Sequence, residues 1–379
     1  MPSTEPVMST YLHTRGAGLG LPIGGNFELT ARCNFRCPMC YVHLTGEEIA
    51  ARGKELTAQQ WIDIARQARD EGLMFALLTG GEPLVRKDFF EIYGAMKEMG
   101  LMVSINSNGS LLSGEILQRL LEDPPFRINV SLYGGCRETY AAMCGNEAFD
   151  QVVENIRALK KGGIDVRLNV SITPYNRQDL EKIYAISREL DVVVKASSYM
   201  YPPIRVHGDC GHRLSAEESA ECAVRWEALR LTEEEFATRA VNMKKYAAVD
   251  RTDCALDVDE GVSCRAGSTS FWMTWDGRML PCGMMPRPEV YPLETGFKEA
   301  WQQLRQETQK IRMPAGCVTC QRRDVCSVCA AVCIAETGEF DQVPEYVCRM
   351  TEETVSRTWQ TYEKRMGEKN GTEKEADEA

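Results

Sequence analysis

The sequence predicts an α/β chain, a parallel strand–helix repeat forming a full or partial barrel or an open sheet, with a small cysteine-rich, loop-rich module behind it. Three observations predict this. Between residues 25 and 205 short apolar runs alternate with amphipathic segments of helical period. On two of the strands polar residues recur at every second position, as they would on the inner face of a ligand-lined barrel: Asn129, Ser131 and Tyr133, then Asn169, Ser171 and Thr173. Cysteines crowd into residues 33–40 and 254–348, where regular periodicity is weakest or absent.

The elements follow in order. Residues 1–24 read as a polar, Gly-rich lead-in with no apolar signal core. "NFELTA" is a strand that runs into the first cysteines. "LTAQQWIDIARQARDEG" is a helix opened by a capping box, Thr57 with Gln60, and closed near Gly72. "MFALLTGGEP" is a strand ending in a glycine turn, "DFFEIYGAMKEMG" a helix, "MVSINSNG" a strand and "SGEILQRLLE" a helix. "RINVSLYGG", "DVRLNVSITPYN" and "VVVKASSYMY" are further strands, with helices at "FDQVVENIRALKKGG" and "RQDLEKIYAISREL" between them. Residues 206–253 read as one or two connecting helices. Residues 254–360 form the second module, which metal would hold together because periodic elements are few. Residues 361–379 are charged and, from Gly367 on, lack large apolar side chains, which predicts disorder.

Composition narrows the chemistry. A chain of 379 residues, 44% hydrophobic, can bury a sizeable core. Its net charge of −11 argues against a nucleic-acid partner held by bulk electrostatics. The absence of any bilayer-length apolar run predicts no membrane partner and a cytoplasmic chain. Sixteen cysteines in that reducing compartment predict metal ligands rather than disulfides. With only four histidines present, the sites are thiolate-rich, hence zinc or iron–sulfur.

The first cluster is Cys33-x3-Cys37-x2-Cys40. Three thiolates on one loop can hold three irons of a four-iron cubane and leave the fourth iron open for a ligand. The alternative is a zinc ion that borrows a distant fourth ligand. One strand later comes Gly80-Gly81-Glu82-Pro83, where the glycines allow close backbone approach and Glu82 offers a carboxylate to an ammonium group. A plain strand-to-helix turn would also read this way, but the pair of motifs on successive strand ends is far more specific.

Together these motifs resemble the radical SAM superfamily over residues 25–205. The resemblance implies a partial (β/α)6 TIM-like barrel and a four-iron four-sulfur cluster on Cys33, Cys37 and Cys40. It implies S-adenosylmethionine on the open iron, with Gly80, Gly81, Glu82 and Pro83 at its ammonium, and a 5′-deoxyadenosyl radical that takes hydrogen from a substrate. Asn108 falls where relatives carry a "TNG"-like turn, and Ser131 where a ribose contact often lies. Met39 stands before the third cysteine, where an aromatic residue is usual, and Tyr41 follows it as a candidate cofactor contact. Arg137 reads as a solvated helix-start residue.

The second module resembles the SPASM extension of radical SAM peptide-modifying enzymes, which carries two auxiliary four-iron clusters, so three clusters in all. The resemblance assigns Cys264, Cys282 and a cysteine shortly after Cys326 to the first, and Cys317, Cys320, Cys326 and Cys348 to the second. Cys329, Cys333 and Cys254 remain candidates for the first. Cys136, Cys144, Cys210 and Cys222 read as buried apolar thiols.

The expected substrate is a ribosomally made peptide, changed by a thioether or carbon–carbon crosslink or another radical modification, with its leader recognised by a separate protein or a different surface and a flavodoxin or ferredoxin as electron donor. Tyr199, Tyr201 and Arg205 could bind such a peptide at the barrel mouth. A formylglycine-forming sulfatase maturase and a small-molecule radical dehydrogenase are the alternatives. Against the maturase, Gly283 stands where such relatives carry a proton-accepting Asp after the "PC" cysteine. Outside these, an electron carrier would need neither an open iron nor "GGEP", and a zinc-stapled binding module would need no polar-lined barrel.

Overall fold

The computed structural model describes residues 7–41, 44–204, 211–249 and 261–377. Cys254, Cys210 and Arg205 lie outside them. Six strands, β1 (Gly24–Glu28), β2 (Phe75–Thr79), β3 (Met102–Ser107), β4 (Arg127–Ser131), β5 (Val166–Ser171) and β6 (Val193–Ser197), all pair in parallel. The helices of this half are α1 (Val7–Leu19), α2 (Gly46–Arg52), α3 (Ala58–Asp70), α4 (Phe89–Glu98), α5 (Gly114–Glu122), α6 (Arg137–Cys144), α7 (Phe149–Lys161) and α8 (Leu180–Glu189). The expected capping box on α3 forms: Thr57 Oγ1 accepts from the Gln60 amide and the Gln60 side chain accepts from the Thr57 amide.

Crossover helices cover one face of the sheet, and the other curves inward as a partial barrel. Phe27, Leu78, Val103, Ile105, Ile128, Val130 and Leu168 point outward into the core that α3, α4 and α7 close, with Trp61, Tyr93 and Ile156 fully or almost fully buried there. The alternate positions face inward, and Asn129 donates an amide hydrogen to Asn106 across the strands. All six strands aim their C-terminal ends at one mouth.

Behind the barrel come α9 (Ala216–Arg230), α10 (Glu233–Tyr246), β7 (Ser270–Met273), β8 (Met279–Leu280), α11 (Pro292–Thr295), α12 (Phe297–Gln309), α13 (Ala315–Val318), α14 (Ala330–Thr337) and α15 (Glu345–Asp377). Three findings differ from the sequence reading. The lead-in holds a helix, α1. The tail expected to be disordered is helical to Asp377 as the end of α15, whose earlier turns pack along α9 and α10. The cysteine-rich module is not separate: β7 pairs in parallel with the outer edge of β1, and β8 pairs antiparallel with β7, giving the order β6-β5-β4-β3-β2-β1-β7-β8. Among the described residues no helix is long and apolar enough to cross a membrane.

Candidate functional site

The cysteine loop leaves β1 and folds against the strand end next to it. Gly81 N donates to Thr30 O at 2.8 Å, and Glu82 N donates to Arg32 O at 2.9 Å. This contact is what demands the two glycines. Gly80 has φ +142°, and a Cβ there would lie 2.4 Å from Thr30 O; a Cβ on Gly81 would lie 2.3 Å from Arg32 O. The close approach expected toward a ligand is thus, first, an approach to the cysteine loop itself.

Cys33, Cys37 and Cys40 line one cavity of about 330 Å³ at the strand C-termini. Gly80, Gly81, Asn108, Ser131 and Tyr41 line it too, as expected. Asn108 Nδ2 donates to Asn34 Oδ1 at 2.8 Å and lies 3.8 Å from Cys33 Sγ, so the β3 turn is tied to the cysteine loop. Among the described residues no three Cys, His, Asp or Glu side chains are gathered closely enough to grip a single metal ion.

Glu82 departs from expectation. It is fully buried and does not line the cavity. Its carboxylate accepts from Asn108 N at 2.7 Å, from Leu84 N at 3.2 Å and from the Ser107 hydroxyl at 3.1 Å. Burial raises this carboxyl to about 7, although the two backbone hydrogen bonds pull the other way. The residue organises the turns after β2 and β3 from beneath. Pro83 is buried too, at the start of the short 3-10 turn that Glu82 caps.

The thiols of this loop fit a positively charged inorganic group. Burial pushes Cys33 up to about 12, and the hydrogen bond with Cys144 followed by burial raises Cys37. Among the described residues no Lys or Arg lines the cavity to stabilise thiolates. Buried thiols without a cation hold their protons, and iron would replace those protons.

The opposite wall was only partly legible. Tyr199, Met200 and Tyr201 after β6, and Met284 from the second module, face the same cavity, as do Asn169, Ser171 and Tyr133. Tyr199 Oη donates to Glu336 Oε1 at 2.8 Å. Glu336 pairs with Arg213 at 2.8 Å, and the guanidinium lies 3.8 Å over the Tyr346 ring. This buried network locks the mouth of the barrel to α14 and α15. Arg137 sits outside the cavity at the start of α6, exposed and paired with Asp150 at 2.6 Å. Thr173 is buried away from the cavity, where its amide donates to Asn176.

In the second module, Cys317, Cys320, Cys326 and Cys348 line one small cavity of about 60 Å³ with Arg322 and Arg323. Burial, with the neighbouring thiols adding to it, raises Cys317 to about 11. Tyr201, Cys282 and Cys329 instead pack against the same core of the second module, and burial first, then these thiols and Cys264, raises the Tyr201 phenol. Cys333 is fully buried on the packed face of α14 beside Val332 and Ile334, as a core thiol would be. Cys144 and Cys222 are buried, Cys144 against Cys37 at the cavity wall. Gly283 lies flat against the Trp272 indole: a Cβ there would meet the ring at 2.9 Å. Trp272 Nε1 in turn donates to the buried Glu28 carboxylate at 2.9 Å.

Comparison with known proteins agrees with this geometry. Residues 27–186 match the Radical SAM superfamily. The chain is 26% identical over 336 residues to an AdoMet-dependent heme synthase of Methanosarcina barkeri, covering 84% of this chain and 94% of that one. It is 37% identical over 166 residues to a probable GTP 3′,8-cyclase of Saccharolobus islandicus, where the match spans about half of that protein, 52%. The fold is shared with Streptococcus suis SuiB bound to precursor peptide SuiA, at 16% identity and TM-score 0.65, over 91% of this chain and 82% of that one. It is shared equally with anSMEcpe with bound AdoMet, at 14% identity and TM-score 0.64, over 90% and 100%.

Proposed function

We propose that this chain, a radical SAM enzyme whose family domain is residues 27–186, modifies a peptide in the cavity between its barrel and its cysteine-rich module. The observation that carries the reading is that shared cavity. The three thiols of the cysteine loop form one wall, and Tyr199, Met200, Tyr201 and Met284 form the other.

Cys33, Cys37 and Cys40 would hold a four-iron cluster. When bound, cluster and S-adenosylmethionine supply a 5′-deoxyadenosyl radical that abstracts a substrate hydrogen. The chain's own residues do the positioning. The backbone of Gly80 and Gly81 presents polar groups to the amino end of the cofactor. Asn108 holds the β3 turn against the cysteine loop, and Ser131, Asn169 and Ser171 offer hydroxyls and amides along the barrel wall to ribose and substrate. The aromatic and thioether wall excludes water from the reacting carbon, which protects a radical from side reactions. Two auxiliary clusters, on Cys264, Cys282 and Cys329 and on Cys317, Cys320, Cys326 and Cys348, would bring the total to three. A flavodoxin or ferredoxin would supply the electron, and a separate protein would recognise a leader sequence.

Two of the fold neighbours are described with peptides bound, SuiB with SuiA and anSMEcpe with Cp18Cys, which supports the peptide class. Formylglycine formation is disfavoured because Gly283 sits where the base would stand and Trp272 fills the adjoining space. A second reading has its own support. The heme synthase relative matches along 94% of its length, which favours a tetrapyrrole substrate.

The test is anaerobic incubation with S-adenosylmethionine, a reductant and either deuterated candidate peptides encoded beside this chain or a deuterated tetrapyrrole. Deuterium in 5′-deoxyadenosine together with a mass change in the peptide supports the first reading. The same pair of signals from the tetrapyrrole alone replaces it with the second.

A further inference from the structure

β6 differs from the other five barrel strands. It ends the sheet order, so among the described residues no strand pairs with its outer edge. None of its five residues is buried, whereas every other barrel strand has buried positions. Val193 is 64% exposed. The run Val192, Val193, Val194 has the composition of an interior strand, and a bare edge of that kind is a template for another chain.

The register names the free hydrogen-bonding groups. In a parallel pair, alternate residues give both backbone groups to the same neighbour. Ile172 N donates to Ser197 O at 2.8 Å, and Ser197 stands opposite Ser171, so Val193, Lys195 and Ser197 are the residues that bond β5. Val194 and Ala196 therefore turn their N–H and C=O groups to the open edge. Beyond them the edge closes, because the Ser219 hydroxyl on α9 donates to Ser198 O at 2.8 Å. Ala196, Ser197, Ser198 and Tyr199 line a cavity of about 210 Å³, walled on its far side by Trp226 of α9 and Met350 of α15. Tyr199 also lines the cavity of the cysteine loop, so the two cavities share one residue as a wall. The inner face of β6 continues the barrel wall: Lys195 stands beside Asn169 and Ser197 beside Ser171, and both partners line the cavity of the cysteine loop. Lys195 is exposed there, and among the described residues it has no ion-pair partner.

We propose that an extended segment of the substrate peptide adds to the free edge of β6 as a further strand, bonded to Val194 and Ala196, with an acidic side chain beside Lys195 and the following residues entering the radical cavity past Tyr199. This rests on the reading that the substrate is a peptide; a tetrapyrrole has no backbone to pair. In such an addition the main-chain hydrogen bonds supply affinity and alternate side chains supply choice. One face of the added strand meets Trp226 and Met350 and takes apolar side chains. The other face meets Lys195, and opposite charges on neighbouring strands attract. At about 3.3 Å per residue the step from Ala196 to Tyr199 is about 10 Å, so the residue to be modified lies at least about three positions beyond the paired segment.

The experiment uses the full chain, reconstituted anaerobically, and a fluorescein-labelled copy of the peptide encoded beside it whose mass it changes. A single backbone N-methyl group is placed at each peptide residue in turn, and binding is read by fluorescence anisotropy. The expected result is a period of two over one short segment: methylation weakens binding about tenfold at one residue and leaves it unchanged at the next. An Asp or Glu within that segment, changed to Lys, weakens binding to wild type and restores it to Lys195→Glu, a substitution at an exposed position that the fold tolerates. Uniform tolerance of the methyl groups, or losses without alternation, overturns the proposal. So does a charge exchange that restores nothing. If no peptide changes mass and only the tetrapyrrole is turned over, the peptide reading fails and the proposal with it, a failure distinct from a modified peptide that shows no alternation.

Discussion

At the scale of single residues, the site turns on groups that support rather than touch. Glu82 was legible as part of the "GGEP" motif, but its task was not, because a sequence does not say whether a carboxylate points into a cavity or beneath it. Its burial gives a signed pH effect. The carboxyl is at about 7 in the folded chain against an ordinary 4.5, so between these values the unfolded chain releases a proton that the folded chain keeps. Its stabilising contribution is complete below about 4.5 and is lost as pH rises to 7. Urea midpoints of the cluster-free protein, measured as wild type minus Glu82→Gln, should fall across that window and stay flat above it. Gly81 gives a second prediction. In Gly81→Ala the new Cβ would press on the Arg32 carbonyl at 2.3 Å, with backbone rather than a flexible side chain in the way. The variant should lose about 1–3 kcal/mol of stability and most of its S-adenosylmethionine binding, checked by denaturant unfolding and equilibrium dialysis.

Among the elements, strands were easier to read than their company. The six barrel strands lie where alternation and glycine turns put them, since period-2 patterning on one polar face is a local signal. β7 and β8 were hidden because four and two residues carry too little pattern, and the pairing of β7 with β1 is a contact across some 245 residues of sequence. α1 was hidden because its apolar residues form no stripe: Met8, Tyr11 and Leu19 stay exposed while His13 bonds to Thr269. The β7 strand also explains why Gly283 is glycine, for Trp272 occupies the space a side chain would need. Gly283→Asp should therefore cost about 1–3 kcal/mol and create no formylglycine-forming activity toward a sulfatase peptide, read by unfolding and by mass spectrometry. The seam between β6 and α14 is testable in the same way. Glu336→Ala leaves Arg213 buried without its partner, and roughly 3 kcal/mol should be lost in urea unfolding.

For the whole molecule, the spacing Cys33-x3-Cys37-x2-Cys40 with Gly80-Gly81-Glu82-Pro83 already pointed to the barrel and to the radical chemistry, because both motifs are local and sit on adjacent strand ends. The second wall of the cavity could not be read that way. Tyr199, Tyr201 and Met284 meet there only because the module's first strand joins the barrel sheet and α14 locks onto the strand that ends it. The central claim is that three thiols on one loop generate a radical in a cavity that this second wall completes. The most direct measurement is iron content and 5′-deoxyadenosine formation from S-adenosylmethionine under reductant, for wild type and for the variant with Cys33, Cys37 and Cys40 all changed to Ala. The account predicts about twelve irons falling to about eight, with 5′-deoxyadenosine abolished. Iron unchanged in the variant, or a wild type that binds zinc and leaves S-adenosylmethionine intact, would contradict it.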